Sequence, residues 1–258
     1  MILDDIVADR KKEYEKIEKK LPLDELIKKI KIDENPIHKL YDLCAKNDFI
    51  YICECKKASP SKGLIEPDYH PDIQARIYSK SGADMISCLT EPKYFLGSNL
   101  DLAKVIKNKG NSLVLRKDFI FSEYQIYESK YLGVDTILLI CAILDKDTLK
   151  KYLDLAHKLG LSCLVETHNE DEIAMAKECG AKVIGVNNRN LKDFSVDNSL
   201  SLKLREKYPD LFLISESGVK DINDIKNIKN SKLNGVLMGE VLMRSKDPEK
   251  TLKEFIKC

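Results

Sequence analysis

The chain has 258 residues, of which 43% are hydrophobic and 33% are charged, a balance typical of a folded globular protein. Its 43 basic and 42 acidic side chains give a formal net charge of +1. No overall electric field therefore favours a nucleic acid or an anionic membrane as a partner, although a local anion site is compatible with that balance.

The N-terminal segment is charged and amphipathic. Residues 1–20 mix charged with apolar side chains throughout, which argues against a signal peptide or a membrane span. The next apolar residues recur at helical spacing and are Leu23, Leu26, Ile27 and Ile30. We therefore predict that residues 1–49 form a helical extension capping one mouth of the main fold, and that residues 1–258 form one domain.

From residue 50 onward, short apolar runs alternate with longer helical segments. The runs start about 26 residues apart, which leaves room for one strand, one helix and two loops in each unit. The continuous apolar character of each run is typical of parallel strands covered on both faces. The eight predicted strands are Ile50–Cys55, Asp84–Leu89, Ser112–Lys117, Asp135–Ile140, Ser162–Glu166, Lys182–Asn187, Leu211–Ser215 and Gly235–Met238.

Helix starts and ends between these strands carry their own signals. Ser122 with Gln125, and Asn169 with Glu172, have the spacing of a capping box, in which side chains satisfy the free N–H groups of the first helical turn. Gly133 suits the left-handed cap at a helix end.

Eight strand–helix units favour closure into a barrel, so the predicted fold class is α/β, a (β/α)8 TIM barrel with an N-terminal helical extension. The alternative is an open doubly wound sheet. No G-x-G-x-x-G motif follows the first predicted strand, which weakens that alternative.

The eight cysteines are expected to be reduced and structural. Cys53, Cys55, Cys88, Cys141 and Cys163 lie in apolar, strand-like runs, where cysteine acts as a small hydrophobic residue. Cys53 and Cys55 lack the spacing of a zinc knuckle and have no second pair of ligands, so we expect no metal. Reduced thiols are consistent with a cytoplasmic location.

Charged and amide side chains are concentrated where six of the predicted strands end. In a barrel of this kind the functional site lies at the carboxyl ends of the strands. Ionisable groups that converge there perturb one another's pKa values, as acid–base catalysis requires. The residues are Glu54, Lys56, Arg116, Lys117, Asp118, Glu166, Asn187, Asn188, Arg189, Ser215, Glu216, Ser217, Gly218, Gly239 and Glu240.

The same strand ends also suggest where an anion would bind and which groups would act as electrophiles. Glycine-bearing turns at Ser217-Gly218 and Gly239-Glu240 are placed where many barrels hold a phosphate, although glycine also permits tight turns without a ligand. With no metal-spaced ligand set, ammonium groups are expected to replace a metal electrophile. The histidines are interpreted as structural or surface residues and are His38, His70, His157 and His168.

The run Ile52–Gly63, ICECKKASPSKG, closely resembles the first-strand signature of indole-3-glycerol-phosphate synthases. The similarity extends in register over essentially the whole chain. The further matching blocks are Ile86–Glu91, Tyr94–Ser98, Leu115–Phe119, Leu164–Glu166, Gly185–Leu191, Ser215–Gly218 and Leu237–Glu240.

The resemblance implies conversion of carboxyphenylamino-deoxyribulose 5-phosphate into indole-3-glycerol phosphate, with release of carbon dioxide and water and without a cofactor. It implies that Lys117 is the general acid, that Lys56 holds the substrate carboxylate, and that Glu166 is the base or a charge stabiliser. Glu54 and Asn187 would orient these groups.

The resemblance also assigns binding residues. Ser59, Ser217, Gly218 and Gly239 would hold the phosphate together with the turn residue Glu240, while Arg189 and Glu216 would line the site. Phe95, Phe119, Leu138 and Leu191 would form the apolar slot for the aromatic ring. Many relatives have serine where this chain has Val241, which puts phosphate affinity in doubt but not the reaction.

Two alternatives are weighed against this interpretation. Another phosphate-binding barrel, such as a phosphoribosylanthranilate isomerase, fits poorly with the Glu54–Lys56 pair and Lys117. A non-catalytic sugar-phosphate-binding barrel would be expected to lack at least one of Lys56, Lys117 and Glu166, and all are present. The expected partner is a phosphorylated small molecule, and the expected state is a monomer or a weak oligomer.

Overall fold

A computed structural model describes residues 2–190 and 193–258 as a closed barrel of eight parallel strands. Neighbouring strands follow chain order, and the last pairs with the first, with Ile50 opposite Gly235. The barrel strands are β1 (Ile50–Cys55), β4 (Met85–Leu89), β5 (Leu113–Lys117), β6 (Thr136–Ile140), β7 (Ser162–Thr167), β8 (Val183–Asn187), β9 (Phe212–Glu216) and β10 (Gly235–Met238). A short antiparallel hairpin, β2 (Ala58–Ser59) and β3 (Gly63–Leu64), follows β1.

Helices alternate with the strands, so the predicted fold class is confirmed. The helices are α1 (Ile2–Lys20), α2 (Leu23–Lys28), α3 (Lys39–Lys46), α4 (Pro71–Lys80), α5 (Asn99–Asn108), α6 (Glu123–Leu132), α7 (Lys146–Lys158), α8 (Glu170–Glu178), α9 (Ser199–Lys207), α10 (Ile222–Asn230), α11 (Glu240–Met243) and α12 (Pro248–Lys257). None of the described helices combines the length and apolar character that crossing a lipid bilayer needs.

The core has two layers because both faces of each strand are covered. Inside the barrel, alternate strand residues such as Ile52, Leu115 and Leu164 pack with Leu40 of α3. Between barrel and helices, the intervening residues, among them Ile86 and Val165, pack against the apolar faces of the helices. The inner layer fills the barrel interior and leaves the carboxyl-terminal end of the strands for chemistry.

Several strands begin one residue later than predicted, as at Asp84 and Asp135. The Asp84 carboxylate accepts a hydrogen bond from the backbone N–H of Tyr51 at 2.8 Å. The Asp135 carboxylate accepts one from Val114 at 2.9 Å. The backbones of both residues also bond to neighbouring strands, so each residue lies at the entry to its strand, β4 or β6, one position before the regular ladder.

The N-terminal extension contacts both ends of the barrel, whereas a cap over one mouth was predicted. At the amino-terminal end, Leu40 is fully buried in the barrel interior, and its N–H donates to Ser162 Oγ at 3.2 Å. At the carboxyl-terminal end, Arg10 of α1 forms a 2.5 Å ion pair with Asp118, directly after β5. The extension reaches both ends because Leu40 lies on α3, whereas the buried cation Arg10 lies on α1.

Candidate active site

A cavity of about 1160 Å³ opens at the carboxyl ends of the strands. Arg116, Asn188 and Ser215, which also stood out at strand ends, are buried and do not contribute to its lining. Every described residue to which the resemblance assigns a role does contribute. The residues are Glu54, Lys56, Ser59, Phe95, Phe119, Lys117, Leu138, Glu166, Asn187, Arg189, Glu216, Ser217, Gly218, Gly239 and Glu240. Leu191, predicted for the apolar slot, lies outside the described residues.

Lys117 stands between two carboxylates on the cavity floor. Its Nζ lies 2.9 Å from Glu216 Oε2 and 3.1 Å from Glu166 Oε2, and each contact has hydrogen-bond geometry. Burial alone would lower the pKa of Lys117, but Glu216 and Glu166 outweigh burial and raise it. Lys117 is therefore an ammonium at neutral pH, and the shift is opposite to the one that would make it a stronger acid.

The two carboxylates differ in their ionisation. Burial raises the pKa of Glu216 to about 7, against the lowering effect of Lys117. Burial also acts on Glu166, but Lys117 and His168 outweigh it and lower the pKa of that carboxyl. Glu166 is thus the permanent carboxylate of the pair, and Glu216 is the one whose charge changes near neutral pH.

Glu216 is held against the barrel wall because β8 offers a glycine there. A Cβ added at Gly185 would collide with Glu216 Oε1. That oxygen is buried and has no hydrogen-bond partner, which is consistent with a carboxyl that takes up a proton readily. Gly185 was not singled out from the sequence, because its role depends on a contact across two strands.

Glu54 and Lys56 form a second charged pair on β1 and just beyond its end. Lys56 Nζ lies 2.7 Å from Glu54 Oε1, as their spacing of two residues predicted. A Cβ at Gly239 would lie 2.7 Å from Glu54 Oε1 and 3.1 Å from Lys56 Nζ. Gly239 therefore makes room for this pair, in addition to any role beside an anion.

Asn187 connects the carboxylate side of the site to the turn after β9. Its Nδ2 donates to Glu166 Oε1 at 3.1 Å. Its Oδ1 accepts from Ser217 Oγ at 2.9 Å and from the Arg189 N–H at 3.1 Å. Ser217 adopts a positive φ of 63°, a backbone conformation that is costly for a residue other than glycine, so this turn is held in one arrangement.

The opposite wall of the cavity is apolar. The rings of Phe95 and Phe119 lie 6.0 Å apart between centroids, tilted by 41°. Leu138 of β6 belongs to the same lining, and α1 adds a set that sequence reasoning missed: Ile2, Leu3 and Ile6. Nothing in the local sequence of α1 distinguishes these residues from those of any amphipathic helix.

The rim between β9 and β10 carries the glycine turns. Gly218 has a φ of 95°, and an added Cβ would collide with Asn198 Oδ1, so glycine is required there by the backbone and by a neighbouring side chain. No side chain caps α11, which begins at Glu240, so no capping oxygen blocks its first N–H groups. Lys62 and Arg244 approach Glu240 Oε1 at 3.5 Å and 3.1 Å and bring positive charge to this rim.

His168 was interpreted as structural or surface, and it lies outside the cavity lining, with its Nε2 3.2 Å from Glu166 Oε1. It follows Glu166 at a spacing of two, the same spacing as in the Glu54–Lys56 pair, and this signal could have revealed the contact. Within residues 2–190 and 193–258, no group of three or more His, Cys, Asp or Glu side chains is placed to hold a metal ion.

Comparison with solved structures supports the barrel fold. A thiamine phosphate pyrophosphorylase from Pyrococcus furiosus is 14% identical and covers 83% of this chain and 96% of its own, with a TM-score of 0.61. KGPDC from Streptococcus mutans is 12% identical and covers 81% and 96%, also with a TM-score of 0.61. At such identities the likeness shows the fold alone.

Comparison at the sequence level is far more specific. The family model described as indole-3-glycerol phosphate synthase matches residues 3–255. Relatives named indole-3-glycerol phosphate synthase include one from Ruminiclostridium cellulolyticum, 45% identical over 96% of this chain and 95% of its own. Another, from Clostridium acetobutylicum, is 42% identical over 100% and 98%. The chain therefore belongs to the indole-3-glycerol phosphate synthase family.

Proposed function

We propose that the cavity converts 1-(2-carboxyphenylamino)-1-deoxyribulose 5-phosphate into indole-3-glycerol phosphate, one carbon dioxide and one water. The observation that carries this proposal is the Lys117 ammonium, held by Glu166 and Glu216 on the floor of a cavity with one apolar wall. An aromatic ring and a carbonyl oxygen can be brought together there beside a proton donor.

Lys117 acts as the general acid toward the ketose carbonyl. As the aryl carbon bonds to the carbonyl carbon, negative charge grows on the oxygen, and the ammonium stabilises that charge and transfers a proton. The raised pKa keeps Lys117 protonated before the reaction. Protonation of Glu216, whose pKa is about 7, removes one of the two charges that hold this proton and makes Lys117 a stronger acid.

Lys56 binds the carboxylate that is lost as carbon dioxide. Its ammonium is already paired with Glu54 at 2.7 Å, so it is oriented before substrate arrives. Glu166 serves as base, or as the carboxylate that stabilises positive charge on the substrate, during the later removal of a ring proton and of water. Asn187 holds Glu166 Oε1 and keeps that group in place.

Phosphate is bound by the rim that carries the turns at Gly218 and Gly239. Ser59, Ser217 and the uncapped first turn at Glu240 provide the donors, since backbone N–H groups at a helix start favour a dianion. Phe95, Phe119 and Leu138, with Leu191 as a further proposed member, hold the aromatic ring. Arg189 lines the remaining edge of the site.

The cellular location of the enzyme is proposed from its cysteines. All eight cysteines are free, and six of them are buried, as expected of a chain that works in the reducing cytoplasm.

The direct test is an assay of the purified chain with the synthetic carboxyphenylamino substrate. Appearance of the indole chromophore, together with stoichiometric carbon dioxide, is the expected result. The Lys117→Met variant, folded by circular dichroism, provides the matched control and should give little product. Equal product from the two proteins, or none from the wild type, would contradict the proposal.

A further inference from the structure

His168 is largely buried beside Glu166, with a side-chain exposure of 12%. It follows β7 and is outside the set of residues that line the cavity. Its Nε2 lies 3.2 Å from Glu166 Oε1, and its Nδ1 lies 3.2 Å from Glu172 Oε2. The imidazole therefore stands between two carboxylates, one in the site and one in the first turn of α8.

The outer carboxylate is firmly anchored. Glu172 Oε2 accepts the backbone N–H of His168 at 2.8 Å, and Glu172 Oε1 accepts from Asn169 Nδ2 at 2.9 Å. In return, Asn169 Oδ1 caps the helix by accepting the Glu172 N–H at 2.9 Å. The predicted capping box is thus present in altered form, with the Glu172 side chain bonded to the N–H of His168. This arrangement fixes the ring on its outer side.

On its inner side, the ring acts on one oxygen of Glu166. Asn187 Nδ2 and His168 Nε2 both approach Oε1, at 3.1 Å and 3.2 Å, while Lys117 Nζ lies 3.1 Å from Oε2. His168 Nε2 is at ion-pair distance and makes no hydrogen bond, so Oε1 is held by the Asn187 hydrogen bond and by the attraction of the imidazole cation, while the Lys117 hydrogen bond holds Oε2. Glu166 Oε2 is thus the oxygen that contacts the Lys117 ammonium, which itself lines the cavity.

We propose that His168 is a positioning residue for the reaction, held as a cation between Glu172 and Glu166 so that Glu166 Oε2 stays directed at Lys117 and the substrate. The inference rests on the proposed role of Glu166. His168 does not touch the substrate and acts through Glu166 alone.

The charges around the ring agree with this assignment. Burial by itself would lower the pKa of His168, but the contacts with Glu166 and Glu172 raise it to about 10. The other titratable groups that face this pair are Lys117 on β5, Glu216 on β9 and the thiol of Cys141 after β6. Of these, only Glu216 changes charge near neutral pH, so the His168 cation persists across the working range.

The first experiment reads the protonation of His168 directly and needs no activity. Ring resonances are followed by NMR between pH 5 and 9, with the His168→Gln spectrum used for assignment. We expect the His168 ring to remain protonated at pH 8, and to lose its proton at least tenfold more readily in Glu172→Gln. A ring that titrates in the wild type near the ordinary value of about 6.5 would overturn the proposal.

The second experiment separates positioning from a merely structural role. In His168→Gln, loss of the cation should raise the pKa of Glu166, so the acid limb of the kcat/KM profile should move up by about one pH unit. We expect kcat to fall because Glu166 is less firmly oriented, while KM changes little, and His168→Lys to restore part of the loss. Asp145→Ala, which removes the N-cap of the neighbouring helix α7, should lower the melting temperature without moving the acid limb.

The outcomes distinguish this inference from the proposed function. An active wild-type enzyme whose acid limb is the same in His168→Gln would overturn the positioning role alone. Absence of synthase activity in the wild type would overturn the proposed function, and the positioning role with it, even if NMR shows a protonated His168.

Discussion

Lys117 has to satisfy two requirements that conflict at the level of a single ammonium group. It must stay protonated in a buried site, for which two carboxylates are useful, and it must release its proton when a carbonyl oxygen becomes negative. Glu216 reconciles them, because its own charge can be removed near pH 7. The Lys117–Glu216 contact is therefore an ion pair whose strength changes as Glu216 gains or loses its proton, and not a permanent salt bridge.

Lys117→Met is expected to lower kcat by roughly 10²-fold or more, the usual scale for a lost acid–base group. The methionine chain has nearly the same length, and so the cavity should keep its shape. Steady-state kinetics and circular dichroism on the same sample provide the measurement. A folded variant with near-normal turnover would show that another residue protonates the carbonyl.

Glu216→Gln should change how stability depends on pH. The folded-state pKa of Glu216, about 7, is above its ordinary 4.5, so its contribution to stability is fully present below about 4.5 and is lost as pH rises through 7. The variant lacks this loss and should gain about 2 kcal/mol relative to wild type between pH 5 and pH 8. Urea unfolding at both pH values measures it, and a difference that does not change with pH would refute the shifted pKa.

The sequence alone could place most of these residues but not their ionisation. Glu54 and Lys56 were found from their spacing, and the same reasoning applied to Glu166 would have included His168. The shift at Glu216 could not be foreseen, because it depends on the space that Gly185 leaves across two strands. Contacts between strands are set by barrel register, which no local pattern specifies.

At the scale of single elements, the β10–α11 turn brings the glycine of one strand against the charged pair of another. Gly239 has a φ of −125°, which any residue can adopt, so the constraint there is space and not backbone conformation. This differs from Gly218, whose positive φ alone would strain a substituted residue.

Gly239→Ala should therefore lower kcat as well as raise KM, because the added methyl group displaces the Glu54 carboxylate and the Lys56 ammonium. A tenfold or greater loss in kcat is expected on the scale of a misplaced catalytic group. Gly180→Ala is the matched control, since its Cβ meets no atom within 4 Å and its φ of 84° costs only stability, about 1 kcal/mol. An effect of Gly239→Ala confined to KM would assign this glycine to phosphate binding alone.

Strand positions were predictable because each barrel strand is apolar on both faces and bounded by helical segments. Their first residues were not, because Asp84 and Asp135 lie just before the regular strands although their backbones already bond to neighbouring strands, and their carboxylates add bonds to Tyr51 and Val114. The helix starts at Ser122 and Asn169 were predicted from capping residues, and only the partner of Glu172 differed.

At the scale of the whole molecule, a buried charge network joins the N-terminal extension to the barrel. Arg10 pairs with Asp118, which also accepts from Thr90 at 2.7 Å, and Arg116 pairs with Glu128 at 2.7 Å. Arg116 and Asp118 flank Lys117 in the sequence, so this network connects α1 to the end of β5. It could not be derived from sequence, because Arg10 and Asp118 are 108 residues apart.

Arg10→Met should lower the free energy of unfolding by about 2 kcal/mol, since Asp118 loses one buried cation but keeps Arg116 and Thr90. The rate should fall too, because Ile2, Leu3 and Ile6 reach the cavity from the same helix. Lys12→Met, exposed on that helix, is the control and should leave both stability and rate nearly unchanged. Equal stability of the two variants would show that α1 is held by its apolar contacts alone.

Closure of the barrel between β1 and β10 has a consequence for the chain while it is being synthesised. In the closed barrel every strand has two neighbours, and the barrel sheet offers no edge to other proteins. A nascent chain that still lacks residues 235–238 has no partner for the outer sides of β1 and β9, both of which are rich in apolar residues. Newly made chains should therefore be most prone to aggregate before β10 has paired with β1 and β9.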